Sequence, residues 1–495
     1  MKKTIFAIAL LGILGMGTAT AQNIETNNIF YHTFRTPQSL LTNPALYPNK
    51  TTIYMSLPGF GLQFNSPLSI GQFVVNPEGS NYTVISLDSL LNGLTQDNHF
   101  RINPTIELFG LGIKSGNSFV TIGARMINDI DFGMPISTLN AMRNGNIDEN
   151  GNVVNHVTLL DGDILNMQSY LELGVGLGHR FDAINLTVGA RAKLLYGIMN
   201  AQTTNTSITL NTDDDLQAIS ADIFYQGRLA SAVPVDFSDG IGFPSVFNVA
   251  DYITLKNINK GVAFDLGASY DFGPFRFSAS VIDLTSGILW DHNIYTLTPQ
   301  SGEPVHVEFN GLSISSLMDT TGNVTDSLSN YFNSALESMQ PVGSDTGSFR
   351  SVIPTKINIG ASFSFAKFLR AGLLLHGQFD RGLLSQNSLT QLDLSGDVKN
   401  TFRYNLTGTV GINLINWIEV IVGSSFVYDG NTNITYKNFF NPGAGVVLTP
   451  LSLVQFYMMA DYISNIYIVD AKSFNVKFGF NLLIGNGGAR HVYDD

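Results

Sequence analysis

From Val262 to Phe272 the chain alternates strictly. Val262, Phe264, Leu266, Ala268, Tyr270 and Phe272 are apolar or aromatic, while Ala263, Asp265, Gly267, Ser269 and Asp271 are small or polar. The same period of two sets Leu171, Leu173, Val175 and Leu177 against Glu172, Gly174, Gly176 and Gly178, and it returns at 402–409 and 474–482. Successive side chains of a strand point to opposite faces, so each of these segments has one apolar and one polar face. A soluble β-sandwich alternates in the same way locally. Composition bears on the choice, and the connections separate the two readings. Only 13% of residues are charged, against about 25% in ordinary soluble domains. Much of this surface therefore faces something other than water. Beyond Ala21 no run of roughly 18 apolar residues exists, which rules out a transmembrane helix. A closed barrel is the remaining way to satisfy every backbone hydrogen bond without water.

The connections support that choice. Tight turns fall at Ser115-Gly116, Phe181–Ala183, Gly273-Pro274, Ala366–Phe368, Ile415-Asn416 and Thr449-Pro450. Between them run long connections, near 66–102, 130–167, 200–259, 286–352 and 381–401, then shorter ones near 429–441 and 464–471. Short and long alternate, as they do when turns lie on the periplasmic side of a barrel and loops on the outside. Strands starting near 51, 103, 117, 168, 184, 260, 274, 353, 369, 402, 417, 442, 451 and 472 give fourteen. The segment 203–230 also has strand character. It is read as a hairpin rising above the membrane, with a sixteen-strand barrel as the alternative. Leu87–Leu94 and Asp326–Met339 carry helical spacing within loops.

At the N-terminus, Lys2 and Lys3, the apolar stretch Ile5–Met16 and Ala19-Thr20-Ala21 form a secretory signal peptide, with cleavage expected after Ala21. The expected layout is a signal peptide at 1–21, an N-terminal segment at 22–50, an outer-membrane barrel at 51–485 and a periplasmic tail at 486–495. The chain has no cysteine, which excludes disulfides, thiolate metal sites and a lipoprotein anchor. A net charge of −13 and the lack of basic runs argue against nucleic acid as a partner.

Within the N-terminal segment, Leu40-Leu41-Thr42-Asn43-Pro44-Ala45-Leu46 is apolar with a turn at Asn43-Pro44. An Asn-Pro-Ala element shortly after a signal peptide, leading into a fourteen-strand barrel, resembles the FadL-like superfamily of outer-membrane proteins. That superfamily includes fatty-acid and aromatic-hydrocarbon channels and the PorV-type barrels of type IX secretion. The resemblance implies that the N-terminal segment folds into the lumen as a plug, with Asn43, Pro44 and Ala45 at its turn. The other reading is an ordinary turn before the first strand. The residue-level match is confined to this tripeptide.

The polar faces of the strands assign Glu107, Arg125, Glu172, Arg191, Lys193, Asp265, Lys356, Arg403, Glu419 and Lys477 to the lumen. Glu172, Arg191, Lys193 and Arg403 are singled out as a lumen polar network. An unpaired charge in a partly dry interior is costly, so these groups are expected to pair across strands. The network is read as fixing plug and register, with selectivity or gating as the alternative. The acidic pairs Asp129/Asp131 and Asp161/Asp163 and the run Asp213–Asp215 match no calcium loop and read as turn residues. The eight histidines show no metal spacing, and there is no nucleophile elbow or phosphate loop. His376 alone is read as lying inside a strand, with Gln378 and Asp380 on its face. The glycines at 174, 176, 178, 267, 360, 408 and 411 are read as places where strands bend or the plug comes close. No enzyme activity, metal or cofactor is expected.

Two functions stay open. One is a passive channel for small hydrophobic or amphipathic molecules, as the resemblance implies, which requires an apolar pocket and a break in the barrel wall. The other is a non-transporting scaffold, PorV-like, with a blocked lumen and a secretion or surface protein as partner. An open porin is disfavoured by the expected plug. Outer-membrane lipid and lipopolysaccharide are the expected surroundings.

Overall fold

The computed structural model describes residues 28–48, 51–66, 68–69, 74–75, 84–85, 91, 98–133, 140, 154–161, 165–212, 219–235, 259–299, 302–309, 347–366, 368–379, 402–415, 417–428, 439–450, 453–461 and 472–485. The expected signal peptide, the tail and the helical loop segments fall outside them, Leu91 excepted.

The strands follow one another in chain order. β1 (Ile53–Ser56) and β2 (Gly59–Asn65) form one stave, broken at Leu57-Pro58, where proline has no N–H for a ladder. β3 (Val74–Val75) and β4 (Val84–Ile85) pair as a separate ribbon. Then come β5 (His99–Ser115), β6 (Ser118–Gly133), β7 (His156–Asp161), β8 (Leu165–Phe181), β9 (Leu186–Thr212) and β10 (Ile219–Ser231). β11 (Asn259–Phe272), β12 (Phe275–Trp290), β13 (Ile294–Leu297), β14 (Val305–Phe309), β15 (Phe349–Ser351) and β16 (Thr355–Ala366) follow. The chain closes with β17 (Leu369–Phe379), β18 (Phe402–Ile415), β19 (Ile418–Tyr428), β20 (Phe439–Leu448), β21 (Val454–Asp461) and β22 (Ser473–Ile484).

Each barrel strand pairs antiparallel with the next. The circle closes where β22 pairs with β1 at Ile53–Ile484 and with β2 at Phe60–Phe478. The staves are β1/β2, β5, β6, β8, β9, β11, β12, β16, β17, β18, β19, β20, β21 and β22, which makes fourteen, as the alternation implies.

β7, β10, β13 and β14 form, with the far half of β9, an extension of the barrel. β9 has 27 residues, about 90 Å at roughly 3.3 Å per residue, far beyond the 9–11 residues a membrane strand needs. Its first half pairs with β11, from Leu186–Tyr270 to Gly197–Asn259. Its second half pairs with β10, from Met199–Ser231 to Thr212–Ile219. β7, β13 and β14 flank this hairpin. The segment 203–230 is thus an extension and adds no staves.

The outer wall is apolar. Leu177 (62%), Val262 (50%), Leu266 (51%) and Phe272 (60%) stand exposed on strands whose alternate residues are buried. At the turn end Phe181, Phe272, Phe275, Phe365, Phe368 and Trp417 are exposed together. A continuous apolar surface of this extent is not tolerated in water. No helix among the described residues is long and apolar enough to cross a membrane.

Candidate functional site

The barrel interior is occupied in three tiers. The lowest is the N-terminal segment, with a helical turn α1 (Asn28–Tyr31) and a 3-10 turn (Pro37–Leu41). It is buried and hydrogen-bonded to the inner wall. Asn28 Nδ2 donates to Asn405 Oδ1 at 2.8 Å, and Gln38 Nε2 donates to Asn481 Oδ1 at 3.1 Å while Asn481 Nδ2 returns a bond to Gln38 Oε1 at 3.0 Å. Thr42 O accepts from Ser280 Oγ (2.7 Å) and Asn358 Nδ2 (3.0 Å).

The turn at Asn43, Pro44 and Ala45 lies against β9, β11 and β12. The two amide hydrogens of Asn43 are shared among Tyr31 OH (3.1 Å), Ala268 O (3.3 Å) and Ala279 O (3.2 Å). Its Oδ1 accepts from the Ala45 N–H at 2.9 Å, the bond of an Asx turn. Inward glycines make room for this approach. A Cβ at Gly189 would strike Pro44, one at Gly267 Asn43, and one at Gly360 Tyr31. Gly267 and Gly360 are therefore close-approach positions; Gly408, by contrast, faces outward with nothing near its missing side chain.

Phe34 is held between two cations. The Arg276 guanidinium lies 4.3 Å and that of Arg370 4.6 Å from the ring centre, and Arg370 Nη2 also donates to Glu419 Oε1 at 2.7 Å. His32 is buried beside them. Burial, reinforced by Arg370, pushes its imidazole down to about 3, so it sits there neutral.

The middle tier is a belt of charges across adjacent strands. Arg125 grips Glu172 with two bonds, Nε to Oε1 at 2.9 Å and Nη2 to Oε2 at 2.7 Å. Arg191 Nη2 reaches Glu172 Oε1 at 2.8 Å, crossing the space left by Gly174. Lys193 Nζ lies 3.6 Å from Glu172 Oε2 and 2.6 Å from Asp265 Oδ1, and it contacts Asp283. Lys356 Nζ completes the chain to Asp283 Oδ2 at 3.1 Å. A second contact joins Lys477 to Glu107, whose Oε2 also accepts from Gln38 Nε2 (3.2 Å) and Tyr457 OH (3.3 Å). The structure thus brings Glu172, Arg191 and Lys193 together. Arg403 pairs through its backbone with Gln378 in the β17–β18 ladder, and its side chain lies outside the described residues.

Asp283 was not among the lumen charges expected from the sequence. On strict alternation it shares the outward face of Phe275, Phe277, Ala279 and Val281. Two irregularities on β12 change that. The ladder to β11 shifts between Phe264 and Leu266 and again between Gly261 and Ala263. Asp283 has φ +59° and Gly287 φ +89°. The first bulge turns Asp283 and Thr285 inward, and the second restores Ile288 and Trp290 to the interior. Asp283 N then donates to Asp265 Oδ1 at 2.9 Å. The available signal was a carboxylate in an otherwise apolar row, since charge on a lipid face is costly. Arg370, too, faces inward on β17.

The same bulges interrupt the ladder to β15 and β16, and across the break Thr355 Oγ1 donates to the Asp283 carbonyl at 2.9 Å and Gly287 packs against Ser351. β12 pairs with β16 as far as Ile282–Lys356 and with β15 from Ile288–Ser351. Residues 283–287 have no ladder partner on that edge, and Val352, Ile353 and Pro354 lie opposite. Above the break is the third tier, an apolar cluster that includes Tyr170, Leu195, Ile288, Trp290, Phe349 and Ile353. Trp290 is fully buried, and its Nε1 donates to Ser351 Oγ at 2.8 Å. A cavity of about 60 Å³ lies between Gln38, Leu41 and Pro44 on one side and Arg125, Gly176 and Arg191 on the other.

Other candidates from the sequence have structural partners. Asp129 accepts from Asn103 and Asp131 from Arg101, each at 2.6 Å. His376 Nδ1 lies 2.7 Å from Asn358 Oδ1, and Gln378 is buried on the same face, whereas Asp380, Asp163 and Asp213–Asp215 fall outside the described residues. No group of three metal-ligating side chains gathers among the described residues.

A family model described as a family of unknown function, DUF5723, matches residues 44–461. No curated protein sequence matches the chain. Among solved structures, the chain is similar to the Ralstonia pickettii toluene transporter TbuX, at 10% identity over 90% of this chain and 94% of that one, TM-score 0.40. It is also similar to the P. putida toluene transporter TodX (8% identity, 90% and 92% covered, TM-score 0.42) and to a Pseudomonas aeruginosa FadL homologue (10%, 90% and 94%, TM-score 0.42). At these values the likeness carries no argument about function.

Proposed function

The chain belongs to DUF5723, a family of unknown function, and we propose from its own barrel that it is an outer-membrane channel for small hydrophobic or amphipathic molecules. The apolar outer wall and fourteen-strand closure are what a bilayer requires of a spanning sheet. In this reading the N-terminal segment is a plug. It, the charge belt and the Trp290 cluster close the bore to ions and sugars. The carrying observation is the interrupted ladder at 283–287, a stretch of wall held by side-chain contacts in place of strand pairing, between the buried charge belt and an apolar cluster. An apolar solute would pass the cluster and leave through the wall, where a polar solute gains nothing.

The filled bore also suits a scaffold that transports nothing, with a secretion or surface protein as partner, and one experiment separates the two. The protein is expressed in a bacterial host lacking its own hydrophobic-uptake channel, and initial uptake of a radiolabelled long-chain fatty acid, a monoaromatic and a disaccharide is measured. Uptake of at least one apolar solute, but not the sugar, is expected to rise several-fold. No change in either apolar solute, together with a stoichiometric protein partner in native mass spectrometry, would replace the channel by the scaffold.

A further inference from the structure

The outer wall carries a hollow of about 490 Å³ over β11, β12, β16 and β17. Its floor includes Ala268, Ala279 and Ala361, and Tyr270, Phe277 and Leu373 stand around it. The ladder explains the shape. Ala268 lies opposite Ala279, and in the next outward row Tyr270 lies opposite Phe277, which lies opposite Ala361. Small side chains are thus ringed by large ones on a face where Ile359 (54%) and Leu373 (50%) are exposed.

The inner side of this wall is fixed. Asn43 donates to the carbonyls of Ala268 and Ala279, Tyr31 lies against Gly360, and Tyr31 OH donates to Ser278 Oγ at 3.0 Å. The floor is therefore held from within, and the hollow is formed before anything enters it, which lowers the cost of binding. Its volume lies within the range of about 300–1,000 Å³ typical of ligand sites.

We propose that this hollow is a binding site for one acyl chain of a membrane phospholipid. The lining is apolar, and a water there lacks the two to four polar partners that an ordered water needs. A second barrel is itself convex, so it would meet the rim and leave the floor bare, whereas a single hydrocarbon chain can follow the alanines. The inference rests on the membrane location proposed above and not on transport.

The test uses the full chain in phospholipid nanodiscs carrying a lipid with a diazirine near the end of its acyl chain. Native mass spectrometry after detergent extraction provides the second readout. One phospholipid is expected to stay bound at a detergent concentration that strips the rest, with cross-links concentrated on the peptide spanning Tyr270 and Phe277. Ala279→Phe, which fills the hollow from its floor, is expected to lower the retained fraction at least fivefold. Ala192→Phe, at another exposed outward alanine, is expected to leave it unchanged. Cross-links spread evenly around the wall, with no retained lipid, overturn the proposal. A dimer that Ala279→Phe dissolves assigns the hollow to a second copy and also overturns it. A protein that stays outside the disc, with no cross-link anywhere, overturns the membrane location and this site with it.

Discussion

Replacing Asn43 by alanine is expected to release the N-terminal segment from the wall. The side chain shares its amide hydrogens among Tyr31 OH, Ala268 O and Ala279 O, and it accepts from Ala45 N–H. A hydrogen bond contributes about 0.5–1.5 kcal/mol net, and a buried partner left unsatisfied costs about 1–3 kcal/mol. Alanine removes two donated hydrogens and one acceptor at a buried site, so the released form should gain about 2–4 kcal/mol, a rise in its population of about 30- to 900-fold. The absence of cysteine from the chain makes this measurable. Ser39 is fully buried in the segment, and Ser39→Cys introduces a single thiol there. The rate of its labelling by a membrane-impermeant maleimide in proteoliposomes then follows the released population. Asn43→Ala on that background should speed labelling by at least tenfold. A change smaller than about threefold would mean that other contacts hold the segment and that the Asn43 bonds to β11 and β12 are incidental.

Gly267→Val drives a side chain into Asn43 and Pro44 and should speed labelling in the same assay, whereas Gly408→Val, facing open space, should shift the urea midpoint by less than about 0.5 kcal/mol equivalent. Lys193→Met leaves Asp265 and Asp283 buried without their shared cation, and urea unfolding in detergent should show a loss of about 3–5 kcal/mol; a loss under about 1 kcal/mol would indicate a hydrated belt. Phe34→Leu removes the ring held by Arg276 and Arg370, and it should raise thiol labelling by an amount corresponding to about 1–2 kcal/mol.

The staves were legible because lipid imposes a simple code. The faces read at 171–178, 262–272, 404–409 and 474–482 are the faces the structure shows, with Leu177 and Phe264 outside and Glu172 and Asp265 inside. The extension of β9 was legible too, because Ile219–Tyr225 has strand character where a membrane-spanning count no longer needs it. Asp283 was not legible. Its side follows from a bulge, and there it meets Asp265, Lys193 and Lys356 on three other strands. The contact between Gln38 and Asn481 joins residues 443 positions apart, and no local pattern encodes it.

The sequence by itself determined the class of object, because alternation, low charge and the tight turns each constrain the chain locally and all agree. It determined which residues line the interior wherever strands keep strict parity. Only the tertiary structure decided which of those residues meet, where parity slips on β12, and which glycines receive the N-terminal segment. These outcomes depend on register between strands and on a segment packed across many of them, and a shift of one residue in register carries each side chain to the other face.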